Sequence, residues 1–117
     1  MRYLLLIWEN EAISNTLSEA EQAAMMQEYF AITEDARTSG ILLGGDPLLP
    51  SETATTVRVR NGAAVSTDGP FAETREQLGG YYMLDCATLD DALAFAARIP
   101  AARHGAVEVR PIMELDA

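Results

Sequence analysis

Apolar residues recur along this chain with two different periods, and the places where the period changes mark its elements. Residues 2–8, Arg-Tyr-Leu-Leu-Leu-Ile-Trp, form a short apolar run that ends in polar residues at Glu9 and Asn10. A run of that length predicts a buried strand, being too short to span a bilayer. It also lacks the length and the small-residue cleavage site of a secretory leader. After the polar stretch Asn10–Thr16 the period changes to that of a helix. Ser18-Glu19-Ala20-Glu21 has the spacing of a capping box, in which Ser18 accepts from the Glu21 amide and Glu21 reaches back. Met25, Tyr29, Ile32 and Ala36 then fall on one face, widened by Met26, Phe30 and Thr33. The helix is expected to run to about Ser39, with Gly40 as its stop.

Ile41-Leu42-Leu43 reads as a short buried strand, broken by Gly44-Gly45-Asp46-Pro47 and followed by a loop through Pro50. From Thr55 to Arg60 the period is two, with Val57 and Val59 on one face and Arg58 and Arg60 on the other. Asn61-Gly62 comes next, a pair suited to the two positive φ angles of a type I′ turn, so Ala63–Ser66 is the returning strand of a hairpin. Asp68-Gly69-Pro70 predicts a turn and Gly80–Asp85 a strand. A second helix opens at an N-cap Thr88, buries Leu89, Ala92, Leu93, Ala96 and Ile99, and stops at Pro100. Val107–Met113 is the last strand. The order is strand, long helix, strand, hairpin, strand, helix, strand. That is the order of an α+β domain with a ferredoxin-like, split βαβ antiparallel sheet and two helices on one face. The other face would carry Arg58, Arg60, Glu108 and Arg110 among apolar residues. A second copy of the chain is the expected cover for it, giving a homodimer with facing sheets.

Composition narrows the functional classes. The 117 residues suffice for one domain, 1–117, with a hydrophobic core of its own. Eighteen acids against eight bases give a net charge of −10, which disfavours nucleic acid and anionic membranes as partners. The single Cys86 sits among apolar neighbours, as a buried and inert thiol would, and fits a reducing cytoplasm. All eight bases are arginine, a usage that fits GC-rich coding and a bacterial source. One histidine and one cysteine give no metal-ligand spacing, so no metal and no cofactor are expected. The glycine pairs at 44–45 and 79–80 lack the pattern of a phosphate loop, and no G-x-S-x-G elbow is present.

Several segments together resemble one family. They are Gly44-Gly45-Asp46-Pro47-Leu48, the stretch Thr67-Asp68-Gly69-Pro70-Phe71-Ala72-Glu73 continued to Glu76, Gly79-Gly80-Tyr81-Tyr82, Arg98-Ile99-Pro100, and Val107-Glu108-Val109-Arg110-Pro111-Ile112. Taken in order they resemble the DGPF branch of the YCII-related proteins over nearly the whole chain. The resemblance implies a dimeric α+β barrel, an architecture shared with small monooxygenases and muconolactone isomerases. It implies no agreed activity. It also implies a context of extracytoplasmic-function sigma factors, and so a regulatory module with a sigma-factor-related partner as the alternative to an enzyme. A His–Asp pair suggested for some YCII proteins, with its histidine near the first helix, does not carry over, since the only histidine is His104.

The candidate site residues follow from side-chain chemistry. His104, with an unperturbed pKa near neutrality and a place beside Gly105 in a loop, is the first acid–base candidate. An inert, exposed loop histidine is the competing reading. Asp68 either serves as or orients a base, or bonds backbone amides in an Asx-turn. Glu73 is the acid within the motif. Arg58 and Arg110 have the fork geometry to hold a small anionic ligand, or else join an ion-pair network. Tyr81 and Tyr82 point to opposite faces, one to the core and the other free to offer its hydroxyl to a pocket. Phe71 would wall that pocket. A cofactor-free enzyme or a binder of a small anionic organic molecule is therefore expected, with His104, Asp68 and Glu73 as catalytic residues and Arg58, Arg110, Tyr81 and Phe71 holding the ligand.

Overall fold

A computed structural model describes residues 1–115. Its elements in chain order are β1 (Arg2–Glu9), α1 (Glu11–Ser14), α2 (Glu19–Thr38), β2 (Leu42–Pro47), β3 (Thr55–Arg60), β4 (Ala63–Asp68), β5 (Gln77–Asp85), α3 (Leu89–Arg98) and β6 (Ala106–Pro111). Short 3-10 turns at Ser51–Thr53 and Pro100–Arg103 complete it. β2, β5, β1 and β6 form one sheet in that order, with every neighbouring pair antiparallel. This is the split βαβ arrangement expected from the element order: β5 lies between β1 and β2, and β1 between β5 and β6.

β1 is central because its pattern lets it be. Tyr3, Leu5 and Ile7 alternate with Arg2, Leu4, Leu6 and Trp8, and only the first set is fully buried. Those three side chains, with Tyr82 and Leu84 of β5, meet Ile32 and Ala36 of α2 and Ala92, Phe95 and Ala96 of α3 in one cluster. Both helices therefore lie on the same face. Tyr82 and Phe95 meet edge to face, with ring centroids 5.4 Å apart, a preferred aromatic geometry. Cys86 is buried in this core, and burial pushes its thiol pKa up.

The capping box forms as its spacing predicts: the Glu21 amide donates to Ser18 Oγ at 3.1 Å and the Ser18 amide to Glu21 Oε1 at 3.0 Å. The Asn61-Gly62 turn also forms, at φ of 52° and 77°. Other expectations need correction. Gly44-Gly45-Asp46-Pro47 does not break the strand but forms most of β2. A Cβ on Gly45 would lie 2.8 Å from Tyr82 Cδ1 and 2.9 Å from the Tyr81 carbonyl oxygen, so the glycine allows a close strand approach. α3 is rotated from the expected face: Phe95 is buried, whereas Leu89 and Leu93 are exposed, because the sheet receives the row 92, 95, 96 and 99. The polar stretch after β1 contains α1, capped by Asn10. β6 ends at Pro111, and Met113 is exposed.

The largest correction concerns the hairpin. β3 and β4 pair only with each other and stand apart from the main sheet as a two-stranded ribbon. Arg58 and Arg60 thus do not share the open sheet face with Glu108 and Arg110. The root of the ribbon is tied to the body by Glu11, whose carboxylate accepts from the Ser51 amide at 2.8 Å and the Ser51 hydroxyl at 2.9 Å.

The two adjacent glycines of β2 provide a test. Gly45→Ala is expected to destabilise the fold by about 1–3 kcal/mol through overpacking against Tyr82 and backbone. Gly44→Ala, with nothing within 4 Å of its added Cβ, should change stability by less than about 0.5 kcal/mol. Urea unfolding of both variants measures the difference.

Candidate functional site

The alternation that buries Tyr3, Leu5 and Ile7 also places Glu9 on the helix-facing side of β1. The strand register shifts at this point, between Ile7 and Trp8, and Gly79 is left out of the pairing. Such a bulge re-aims the residues around it. A Cβ on Gly79 would approach Glu9 Oε2 to 4.0 Å, so the glycine keeps space open beside the carboxylate. The Tyr29 hydroxyl donates to Glu9 Oε1 at 3.4 Å and the Ser14 hydroxyl to Oε2 at 3.4 Å. Both bonds are long, so the carboxylate keeps acceptor capacity.

Glu9 borders two cavities. The larger, about 620 Å³, lies between α2 and the β2 edge of the sheet. Its walls include Tyr29, Phe30, Tyr81 and Tyr82, and its floor the glycines at 44–45 and 79–80. Polar groups within it are few and ordered. Tyr82 Oη and Thr33 Oγ1 share a 2.7 Å hydrogen bond; at the rim the Tyr81 hydroxyl, on the sheet face opposite Tyr82, donates to Asp46 Oδ2 at 2.9 Å. Arg37, at the same cleft, is paired with Glu34. A largely apolar cleft of this size with a few convergent polar groups has the character of a small-molecule site. The second cavity, about 60 Å³, is bordered by Glu9, Asn10, Ile13, Met25, Ala101 and His104 among others.

Burial shapes the acid–base behaviour of the cleft. It is the main cause that raises the Tyr29 phenol above its ordinary range, with the Glu9 charge second. Burial likewise raises Tyr82, partly offset by the hydrogen bond with Thr33. The Asp46 hydrogen bond raises Tyr81. All three are neutral hydroxyls in the folded state; Tyr29 and Tyr81 give their one proton to Glu9 and Asp46, whereas Tyr82 can accept from Thr33 and keep its proton to donate.

The residues singled out from sequence fall in three places. Tyr81 lines the large cleft and His104 the small cavity. Asp68 ends β4 and Phe71 and Glu73 occupy the following loop, all exposed and lining neither cavity. Arg58 lies on the ribbon, donating to the Phe71 carbonyl at 3.3 Å, and Arg110 lies on β6, donating to Glu108 Oε2 at 2.6 Å. His104, Asp68 and Glu73 are thus not gathered around one cavity, and Arg58 and Arg110 belong to different sheets. Glu9, Tyr29 and Thr33 were missed as site residues. Their signal was present: Glu9 continues the buried row of β1, and Met26, Phe30 and Thr33 make the α2 stripe wider than one sheet contact needs. Met26 and Phe30 are in fact half or more exposed, at the cleft.

Among the described residues no group of three or more histidine, cysteine, aspartate or glutamate side chains is placed to hold a metal ion. Among the same residues no helix is long and apolar enough to cross a membrane.

The sequence matches the model of the YCII-related domain over residues 1–116, and the chain belongs to that family. An uncharacterized protein of Rhizobium meliloti (strain 1021) is 38% identical over 114 residues, covering 96% of this chain and 92% of the relative. In structure the chain is similar to a 5-chloro-2-hydroxyhydroquinone dehydrochlorinase from Burkholderia phenoliruptrix AC1100, solved in complex with 2,5-dihydroxybenzoquinone. The TM-score is 0.51 at 13% identity, covering 97% of this chain and 94% of the other. At that identity the likeness is one of fold.

The raised phenols predict alkaline sensitivity. A tyrosine held neutral in the folded state loses its proton near its ordinary pKa of about 10 once unfolded. The unfolded chain then binds fewer protons, so stability falls as pH rises above that value. Tyr29→Phe removes one such group, and its urea midpoint should fall less steeply between about pH 10 and 12 than that of the unmodified chain.

Proposed function

We propose that this YCII-related protein binds a small, neutral, hydroxyl-bearing organic molecule in the cleft between α2 and β2, and that Glu9 exchanges a proton with it without a cofactor. The observation that carries this reading is the Glu9 carboxylate, loosely hydrogen-bonded beside the Tyr29 hydroxyl at the border of an aromatic cleft. A carboxylate in that position can accept a proton from a bound hydroxyl, while the Tyr82 hydroxyl, accepting from Thr33, donates to the oxygen left behind. His104, across Glu9 in the adjoining cavity, is the group we assign to exchange protons with the carboxylate.

The charge around the cleft bears on the ligand. Arg37, its cation, is shared with Glu34, whereas Glu9 and Asp46 bring two carboxylates. That balance supports a neutral ligand over the anion that Arg58 and Arg110 suggested from sequence. The dehydrochlorinase with the same fold holds a small hydroxylated ring, which supports a ligand of that size and shape and says nothing of its charge or of the reaction here. The stretch Thr67–Glu73 supports a place in the DGPF branch, and the lone buried Cys86 supports a cytoplasmic location. We further assign the open sheet face, where Leu4, Leu6, Trp8 and Met83 are half-buried, to a second copy of the chain. Neither the family nor the relatives point to a sigma-factor partner.

Titration with hydroquinone, followed by NMR, should shift the amides of Gly44–Asp46 and Gly79–Tyr82, and the anionic 2,5-dihydroxybenzoquinone should shift them less. Glu9→Gln should weaken binding about tenfold, the value of one hydrogen bond to a charged group. Hydroquinone shifts confined to other regions, or none, would reject the cleft as the site, and tighter binding of the anion would reject the neutral ligand.

A further inference from the structure

The β3–β4 ribbon is built as no independent element should be. Of its twelve strand residues only Thr56 escapes full exposure. Val57, Val59 and Val65 are 60%, 64% and 48% exposed. Its hydrogen bonds are almost all internal: the ladder itself, the Gly69 amide to the Ala54 carbonyl, and the Thr56 hydroxyl to the Gly69 carbonyl at 2.8 Å. A lone two-stranded hairpin is at best marginally stable in water. The shape of the chain reports the same thing. Its radius of gyration is 16.2 Å and its extents are 48 × 47 × 18 Å, against about 13 Å for a compact chain of this length.

The charge of the ribbon is opposite to that of the body. Residues 55–68 hold two arginines against one acid, Asp68 at the root, whereas the rest of the chain holds six arginines against seventeen acids. Among the described residues five arginines, at positions 2, 37, 98, 103 and 110, are paired with carboxylates. The three that are not are Arg58, Arg60 and Arg75, on the ribbon and the loop that follows it. The Arg58 and Arg60 guanidinium groups touch only main-chain carbonyls, of Phe71 and Val59.

We infer that the ribbon is an arm that docks on a second copy of this chain, burying Val57 and Val59 and setting Arg58 and Arg60 against carboxylates of that copy. Two bodies of net negative charge repel as they approach. The ribbon is the part of each chain that can offset this repulsion, and a symmetric pair would exchange one arm in each direction. Val57 and Val59 face one side with Ser66 and Ala64 opposite them, and Arg58 and Arg60 face the other beside Val65 and Ala63, so the arm presents a mainly apolar surface and a basic one. An acidic body with exposed apolar side chains complements both. This interface is separate from the pairing of open sheet faces and does not depend on the ligand cleft.

Sedimentation velocity over a concentration series tests it, with circular dichroism confirming that each variant folds. Self-association should weaken roughly tenfold or more in both Arg58→Glu/Arg60→Glu and Val57→Ser/Val59→Ser. Raising ionic strength from about 0.05 to about 0.5 M should weaken the unmodified chain more than the charge-reversed one. A Leu6→Glu variant separates the two interfaces. If Leu6→Glu alone dissociates the protein while both ribbon variants associate like the unmodified chain, the arm is overturned and sheet pairing stands. A chain that stays monomeric at every concentration also overturns it. The hydroquinone titration of the unmodified chain and the sedimentation series are separate readouts, so failure of the cleft reading cannot be mistaken for failure of the arm.

Discussion

The two-residue period of β1 is the constraint on which the rest depends. It sends Tyr3, Leu5 and Ile7 toward the helices and leaves Leu4, Leu6 and Trp8 on the opposite face. With neighbours on both edges, the strand has its main-chain groups satisfied, and its helix-facing row sets the depth at which α2 and α3 can pack. A slip of one residue would exchange the two rows. The slip is prevented because the buried row must meet the small residues Ala36, Ala92 and Ala96, where only close-packed side chains fit. The same row ends in Glu9. One alternation therefore fixes the core at one end and presents a carboxylate to two cavities at the other.

Much of this was legible from residues alone, where local chemistry decides the outcome. The capping box at Ser18, the Asn61-Gly62 turn and the order of the strands and the two longer helices depend on near neighbours, and they formed as read, with α1 the addition. What failed depended on distant partners. Gly44-Gly45-Asp46-Pro47 reads as a breaker locally, yet β5 supplies Tyr82 opposite Gly45 and holds the segment as an edge strand. The edge position tolerates the proline, since its missing donor faces no further strand. α3 was rotated because Phe95 found Tyr82, a contact no helical wheel contains. Acid–base candidates chosen by residue type, above all His104, Asp68 and Glu73, were scattered for the same reason: spacing in sequence does not report which loops meet. Glu9 was readable in principle, because a charged residue in phase with a buried row is the informative exception.

The cleft and the ribbon are consequences of one insertion. β2 and β5 are neighbours in the sheet, and a tight connection would have joined them directly. Instead the chain leaves at Pro47, turns at Ser51–Thr53, runs out through β3 and back through β4, and returns at Gln77. The glycines at both departure points keep β2 and β5 close where they bound the cleft, while the Glu11 carboxylate clasps Ser51 at the root of the excursion. Glu11 lies two residues past Glu9 and in the first turn of α1. The segment that ends β1 therefore contributes both the cleft carboxylate and the anchor of the ribbon.

That shared root gives a physical route between the two features. Any load on the ribbon is borne at Ser51 and at Gln77, whose side-chain oxygen accepts from the Glu11 amide at 2.9 Å. Gln77 is also the partner of Glu9 across the β1–β5 ladder, on the far side of the bulge at Gly79. Docking that ordered the ribbon would thus stiffen the two strands that hold Glu9, without touching the cleft itself. Coupling of this kind requires no second conformation of the sheet. It requires only that the bulge, the least constrained part of the ladder, lose freedom when its neighbours do. The hydrogen-exchange rates of the Gly79 and Gly80 amides are the direct readout of that coupling, and they would slow with self-association if the ribbon and the cleft act as one unit.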